Sequence, residues 1–290
     1  MSSAQDLSPF PPPAPPMRSC LCTQAQFETP WFRWWLAKLD LPFHLHRKPW
    51  EFCFVAQTLY EHGMLTPGKR GLGFAVGQEP MPALFASFGC DIVATDLDPE
   101  KAGLEWVATN QNSSSIEQLQ RPSICSPDVL RQRVTFREAD MNDIDKDLTG
   151  FDFVWSCCSF EHLGSIKKGK KFIQRMIRCL RPGGLAVHTT EYNVGSNVET
   201  VDNTMAVIYR RSDLEEMKKG LERNGHSVVP FDFDSGNLPA DLHVDEPPYE
   251  QKIHLKLRLG GFVTTSAGII SRAGERQGLW ERFWPWRKSA

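Results

Sequence analysis

Apolar and polar positions divide this 290-residue chain into three regimes. Residues 1–18, MSSAQDLSPFPPPAPPMR, are proline-rich and offer almost nothing to bury, so they are expected to be disordered or polyproline-like, the main part of a tail reaching residue 26. Residues 27–66 are dense in aromatics. Trp31, Trp34, Trp35 and Leu36 fall along one side of a helix, and Trp50, Phe54 and Leu59 begin a second apolar pattern. These helices can pack on a main sheet, or Trp31, Phe32 and Trp35 can roof a site and stack on a substrate. From Gly71 onward, short runs rich in β-branched and aromatic residues alternate with helical periodicity, which predicts a parallel sheet with helices on both faces.

The expected strands are residues 71–76, 91–95, 134–138, 151–157 and 184–190. Between them lie predicted helices at 80–87, 99–109 and 167–180, the last halted by the RPGG of residues 181–184. Residues 110–129 are polar and turn-rich and are expected to form a loop or irregular helix. A further helix is predicted at 212–224, capped by Ser212 with Glu215 three residues on. Strands at 226–233 and 261–271 can then pair as an antiparallel unit, with an acidic, proline-containing loop at 238–249 between them. Residues 275–290 form an aromatic and basic tail, whose Trp280, Phe283, Trp284 and Trp286 are expected to pack on the N-terminal helices or touch a membrane surface or partner. The expected organisation is thus a tail (1–26), an aromatic helical cap (27–66), one α/β domain (67–274) and a C-terminal tail (275–290).

Composition narrows the classes. With 41% hydrophobic and 23% charged residues and a net charge of −2, the chain has no general basic field for nucleic acid. Its eight cysteines lack zinc-type spacing and read as reduced thiols of a cytoplasmic protein. No apolar run approaches the roughly 20 residues that span a bilayer. His243 with Asp245 and Glu246 sits in a polar loop, and no metal is expected. The 167–171 run KKGKK reads as a solvated helix start. Cys157 and Cys158 read as core and loop thiols, and His188 as a core residue of the fifth strand.

The candidate chemistry starts at Gly77, in the turn after the first strand, and Asp96, at the end of the second. An acid about 20 residues beyond such a turn suits the two hydroxyls of a ribose. Gly71, Gly73 and Gly77 miss the dinucleotide spacing, and Glu79 repels a diphosphate at short range. A nucleoside with a cationic end is better served, and S-adenosylmethionine is one.

Residues 71–272 resemble a class I S-adenosylmethionine-dependent methyltransferase of the small-molecule, type 11-like branch. DLDPEKA after the second strand, READMNDI after the third, FDFVWSCCSFEHLG at the fourth and LRPGGLAVHTTEY before the fifth carry the resemblance. It implies a Rossmann-like doubly wound, mostly parallel seven-stranded sheet with an antiparallel last strand and N-terminal helical additions. It also implies S-adenosylmethionine as cofactor, bound around Gly77, Asp96, Leu97, Asp140, Met141 and Ser159. The first motif departs from the family: the strand acid falls on Gly73, and Gly77 alone survives of the three turn glycines. Glu79 is expected to replace that acid from another direction.

Transfer to an alcohol needs a proton acceptor at the carboxyl ends of the fourth and fifth strands. Glu161, His162, Glu191 and Tyr192 fall there; His162 is the first choice by its intrinsic pKa, followed by Glu161 and Glu191. The expected acceptor is a hydroxyl of a small molecule or glycan. The competing readings are a non-catalytic cofactor-binding or interaction protein and, third, an NAD(P)-dependent oxidoreductase.

Overall fold

The computed structural model describes residues 8–98 and 112–275. The helix expected at 99–109 and the aromatic segment 276–290 lie outside the described residues.

Seven strands make the main sheet: β1 (Arg70–Gly73), β2 (Asp91–Asp96), β3 (Val134–Glu138), β4 (Phe151–Cys157), β5 (Leu180–Asn193), β6 (Leu257–Leu259) and β7 (Phe262–Arg272). Their order is 3-2-1-4-5-7-6, and Ser227–Val228 adds a short eighth member against β7. β1 to β5 are parallel, whereas β7 runs antiparallel to β5 from Thr264↔Asn193 to Arg272↔Leu185. The sheet is α/β and Rossmann-like, as expected. Because side chains alternate along a strand, Phe153, Trp155, Leu185 and Val187 feed one core while Val154 and Ala186 feed the other.

The first core is covered by α1 (Pro30–Lys38), α2 (Arg47–Glu61), α3 (Met81–Ser87) and α4 (Pro127–Arg133), the second by α5 (Ile166–Met176) and α6 (Arg211–Arg223). Trp31, Phe32 and Trp35 are buried at 4%, 0% and 0% exposure, and the Trp35 indole donates to Gln57 at 2.7 Å. They are core residues, so they do not roof a substrate site.

Several local expectations are corrected. β1 ends at Gly73, because the chain bends there and Ala75 and Gly77 take φ of 48° and 49°. β5 starts at Leu180: RPGG is a bulge within the strand, placing Phe151 opposite Leu180 but Phe153 opposite Leu185, with Gly183 at φ 75°. α6 is capped by Arg210, whose amide and guanidinium both donate to Asp213, and the Ser212 amide donates to Asn197 instead. The strand expected at 226–233 is split into Ser227–Val228 and Phe231–Asp232 around Pro230, which has no amide to donate to a ladder. The hairpin partner of β7 is β6, too short for an alternation signal, and the loop after Leu238 holds a helical turn, Pro239–Leu242.

The outer edge of β7 is covered in pieces, which blocks pairing with another chain. β6 takes Phe262–Thr264, residues 19–22 take the middle, and Ser227–Val228 takes the end. Part of the tail expected to be disordered is therefore placed: Ile270 donates to the Ser19 hydroxyl at 3.0 Å, Cys22 donates to the Ser266 carbonyl at 2.9 Å, and the Trp34 indole donates to the Ser8 carbonyl at 2.9 Å. A donor and an acceptor on the edge strand and the Trp34 indole hold it; composition does not display them.

Candidate active site

Gly71 and Gly73 have a packing reason. They face Phe153 and Trp155 of β4 across the β1–β4 register, and a Cβ at either would overlap those rings. The glycines are slots for aromatic side chains. The Trp155 indole thus fills the space where the family's strand acid would stand, packs edge-on against Phe85 at 4.9 Å, and donates from Nε1 to Glu79 Oε1 at 2.6 Å. Glu79 lies in the turn before α3, half-buried and directed toward β4. It does not cap α3, whose N-cap is Pro80. Burial pushes its carboxyl up to about 7.

Asp96 ties the turn together. Its Oδ2 accepts from Gly77 N at 3.0 Å and Ser113 N at 2.9 Å, and its Oδ1 accepts from Leu97 N at 2.8 Å. The Ser113 hydroxyl donates to the Gly77 carbonyl. Burial raises the Asp96 carboxyl, partly offset by these amides. Beyond β3, Met141 is buried at 6% exposure, while Asp140 is exposed and accepts from the Asn142 amide at 2.7 Å. Gly77, Asp96, Leu97, Asp140 and Met141 thus gather along the carboxyl edge of β1, β2 and β3. Ser159 follows β4 and donates to the Cys157 carbonyl at 3.3 Å.

The ends of β4 and β5 meet the first turn of α2, and there the charges concentrate. Arg47 is ion-paired with Glu191 Oε2, while Glu191 Oε1 is buried with no hydrogen-bond partner among the described residues. One turn on, Glu51 is 1% exposed; its Oε1 accepts from Cys158 Sγ at 2.9 Å and Ser266 Oγ at 2.6 Å, its Oε2 from Lys48 at 2.9 Å. Burial alone would raise the Glu51 carboxyl, but Lys48 and Arg47 outweigh it and hold it below the usual range. Lys48 also donates to the Cys157 carbonyl at 3.1 Å. Cys158 takes φ 49°, which turns its thiol toward Glu51.

Glu161 and Glu191 are not equivalent. Glu161 accepts from Thr190 at 3.0 Å, and Thr190 and Glu191 are successive strand residues pointing to opposite faces. Burial raises the Glu161 carboxyl. His162 is partly exposed and its Nδ1 meets the Met205 carbonyl at 2.8 Å, turning the ring toward the 194–206 loop. Tyr192 stacks on Phe233 at 5.8 Å. His188 is sealed in the second core against Ser156 at 2.7 Å, and burial pushes it down to about 3. Asp152 of the FDFV motif lies at the opposite end of the sheet, bound to Lys69, Arg181 and the Arg70 amide, so its work is structural. In the acidic loop Asp245 pairs with His254 at 2.6 Å.

Residues missed by sequence reasoning are Arg47, Lys48 and Glu51. Their signal was a glutamate inside the apolar run of α2, WEFCFVA, where every position from Trp50 to Leu59 is buried. A charge in such a run needs a partner.

Residues 72–188 match the family described as "Methyltransferase domain". Over those residues the chain is similar to a methyltransferase domain. The chain therefore has S-adenosylmethionine as its implied cofactor. Among solved structures, it is similar to a putative sarcosine dimethylglycine methyltransferase from Galdieria sulphuraria, with 15% identity over 77% of this chain and 84% of that one and a TM-score of 0.48. A magnesium protoporphyrin IX methyltransferase from Synechocystis PCC 6803 shows 13% identity over 76% and 80% of the two chains, TM-score 0.45. The 1,6-didemethyltoxoflavin-N1-methyltransferase of Burkholderia thailandensis shows 16% identity over 76% of each chain, TM-score 0.42. No curated protein sequence matches the chain. No helix among the described residues is long and apolar enough to cross a membrane.

The residues that would hold this cofactor are Asp96 and the Gly77 turn at the ribose, Met141 at the adenine and Glu79 at the positively charged end.

Proposed function

We propose that this methyltransferase acts on a hydroxyl of a small-molecule or glycan acceptor, with Glu191 receiving the hydroxyl proton, and that it does so in the cytoplasm. The observation that carries the reading is the Glu191 carboxylate at the carboxyl edge of β5. Arg47 holds Oε2 and leaves Oε1 buried without a hydrogen-bond partner among the described residues, which a hydroxyl would satisfy.

The bound cofactor supplies an electrophilic methyl carbon on a sulfonium. The chain's work would be alignment and proton removal: Arg47 would hold Glu191, and Glu191 Oε1 would take the proton of the acceptor hydroxyl as it is methylated. Arg47 keeps the carboxylate from rotating. Glu161 faces Thr190 and His162 faces Met205, so neither is placed as well for this step.

The reading is tested by incubating the protein with methyl-labelled S-adenosylmethionine and a panel of alkyl glycosides and locating the label by NMR. Transfer to oxygen, with Glu191→Gln slowing kcat about 100-fold and leaving cofactor affinity unchanged, is expected. Transfer to nitrogen or carbon, or an unaffected Glu191→Gln, contradicts it.

A further inference from the structure

The first motif lacks its strand acid, and a side chain at Gly73 is sterically excluded by Trp155. The amino-acid end of the cofactor, an ammonium and a carboxylate on one carbon, still needs charged partners in a half-buried site. Two groups of this chain converge on the space between the β1 turn, the end of β4 and the first turn of α2. Glu79 arrives from the turn, fixed by the Trp155 indole at 2.6 Å. Lys48 arrives from α2, held by Glu51 at 2.9 Å and by the Cys157 carbonyl at 3.1 Å. An ammonium has three donors, and those two acceptors take two of them. The Lys48 side chain is 45% exposed, and its ammonium also lies over the Phe52 ring at 5.7 Å, with no third hydrogen-bond acceptor among the described residues.

We infer that Lys48 and Glu79 form a two-residue clamp for the zwitterionic methionine end of the cofactor, Lys48 taking its carboxylate and Glu79 its ammonium, in place of the missing strand acid at Gly73. This rests on S-adenosylmethionine being the cofactor. The pair comes from both sides of the site, one member from the methyltransferase domain and one from the N-terminal helices outside residues 72–188. Glu79 is hydrogen-bonded to Trp155 and Lys48 to Cys157, two residues apart at the end of β4, so both groups reach the same strand end.

The test is calorimetric titration of the full chain with two probes, S-adenosylhomocysteine and 5′-methylthioadenosine, which share the nucleoside but only the first of which has the amino-acid end. The wild type is expected to prefer S-adenosylhomocysteine. Lys48→Ala and Glu79→Gln are each expected to weaken it about 10-fold while leaving 5′-methylthioadenosine within about twofold, and Lys48→Arg to restore most of the loss. Retained 5′-methylthioadenosine binding certifies that each variant is folded. Equal weakening of both probes, or unchanged S-adenosylhomocysteine affinity in both variants, overturns the clamp. If neither probe binds the wild type, the cofactor assignment falls, and the clamp with it.

Discussion

The Trp155 indole nitrogen lies 2.6 Å from Glu79 Oε1, across the strand position where Gly73 has no side chain. This contact makes the atypical turn a coherent unit: the glycine admits the ring, and the ring fixes the acid. Its pH consequence has opposite signs for stability and for binding. Burial raises the Glu79 carboxyl to about 7, so the folded chain holds a proton that the unfolded chain releases. Between about pH 4.5 and 7 this group's contribution to stability therefore falls as pH rises. Affinity for a cationic ligand rises over the same window as the carboxylate ionises. Thermal melts and calorimetry across that range should show both slopes, and Glu79→Gln should flatten both.

The ring slot has its own test. Gly73→Ala puts a methyl group into the indole of Trp155 and is expected to cost about 2–3 kcal/mol. Trimming the ring in Gly73→Ala/Trp155→Leu should recover part of this in urea denaturation, since the two positions share one space.

Glu51 is expected to be a structural keystone. Its 1%-exposed carboxylate joins Lys48, Cys158 and Ser266. Glu51→Ala leaves those donors and the ammonium without their acceptor, costing about 2–3 kcal/mol, moderated because Lys48 reaches water. With its folded carboxyl held below the usual range, Glu51 contributes stability above its unfolded value of about 4.3, and this is lost as pH falls through the lower folded value. Acid denaturation of the wild type should be steeper there than that of Glu51→Gln.

Asp96 accepts from three backbone amides, those of Gly77 in the turn, of the adjacent Leu97 and of Ser113. Asp96→Ala should therefore weaken S-adenosylhomocysteine and 5′-methylthioadenosine alike, by about 10-fold or more in titration, and lower thermal stability together with affinity. This equal loss is what distinguishes a nucleoside contact from the clamp.

The sheet was legible in the sequence because buried parallel strands are continuous apolar runs, and residues 134–138 and 151–157 were expected with the bounds they have. Asp96 and Gly77 were legible through spacing, and the structure shows them bonded to each other. What was hidden depends on contacts between distant segments. Residues 8–22 look too proline-rich to order, yet they answer donors on β7 and Trp34 that only the folded sheet presents. The roles of Gly71 and Gly73 required knowing which β4 rings face them. His162 was the first choice from intrinsic pKa, but direction decides availability, and its ring turns toward Met205 whereas Glu191 keeps a buried oxygen with no hydrogen-bond partner among the described residues. Arg47 was invisible as a partner because 144 residues separate it from Glu191.

The most direct test of the account is a crystal structure with S-adenosylhomocysteine bound. It is expected to place the ribose on Asp96 and to point the sulfur's methyl-bearing direction at the space beside Glu191 Oε1, leaving room for an acceptor oxygen about 3 Å from both. A sulfur directed at His162 and the 194–206 loop, with Glu191 still sealed behind Arg47, would contradict it.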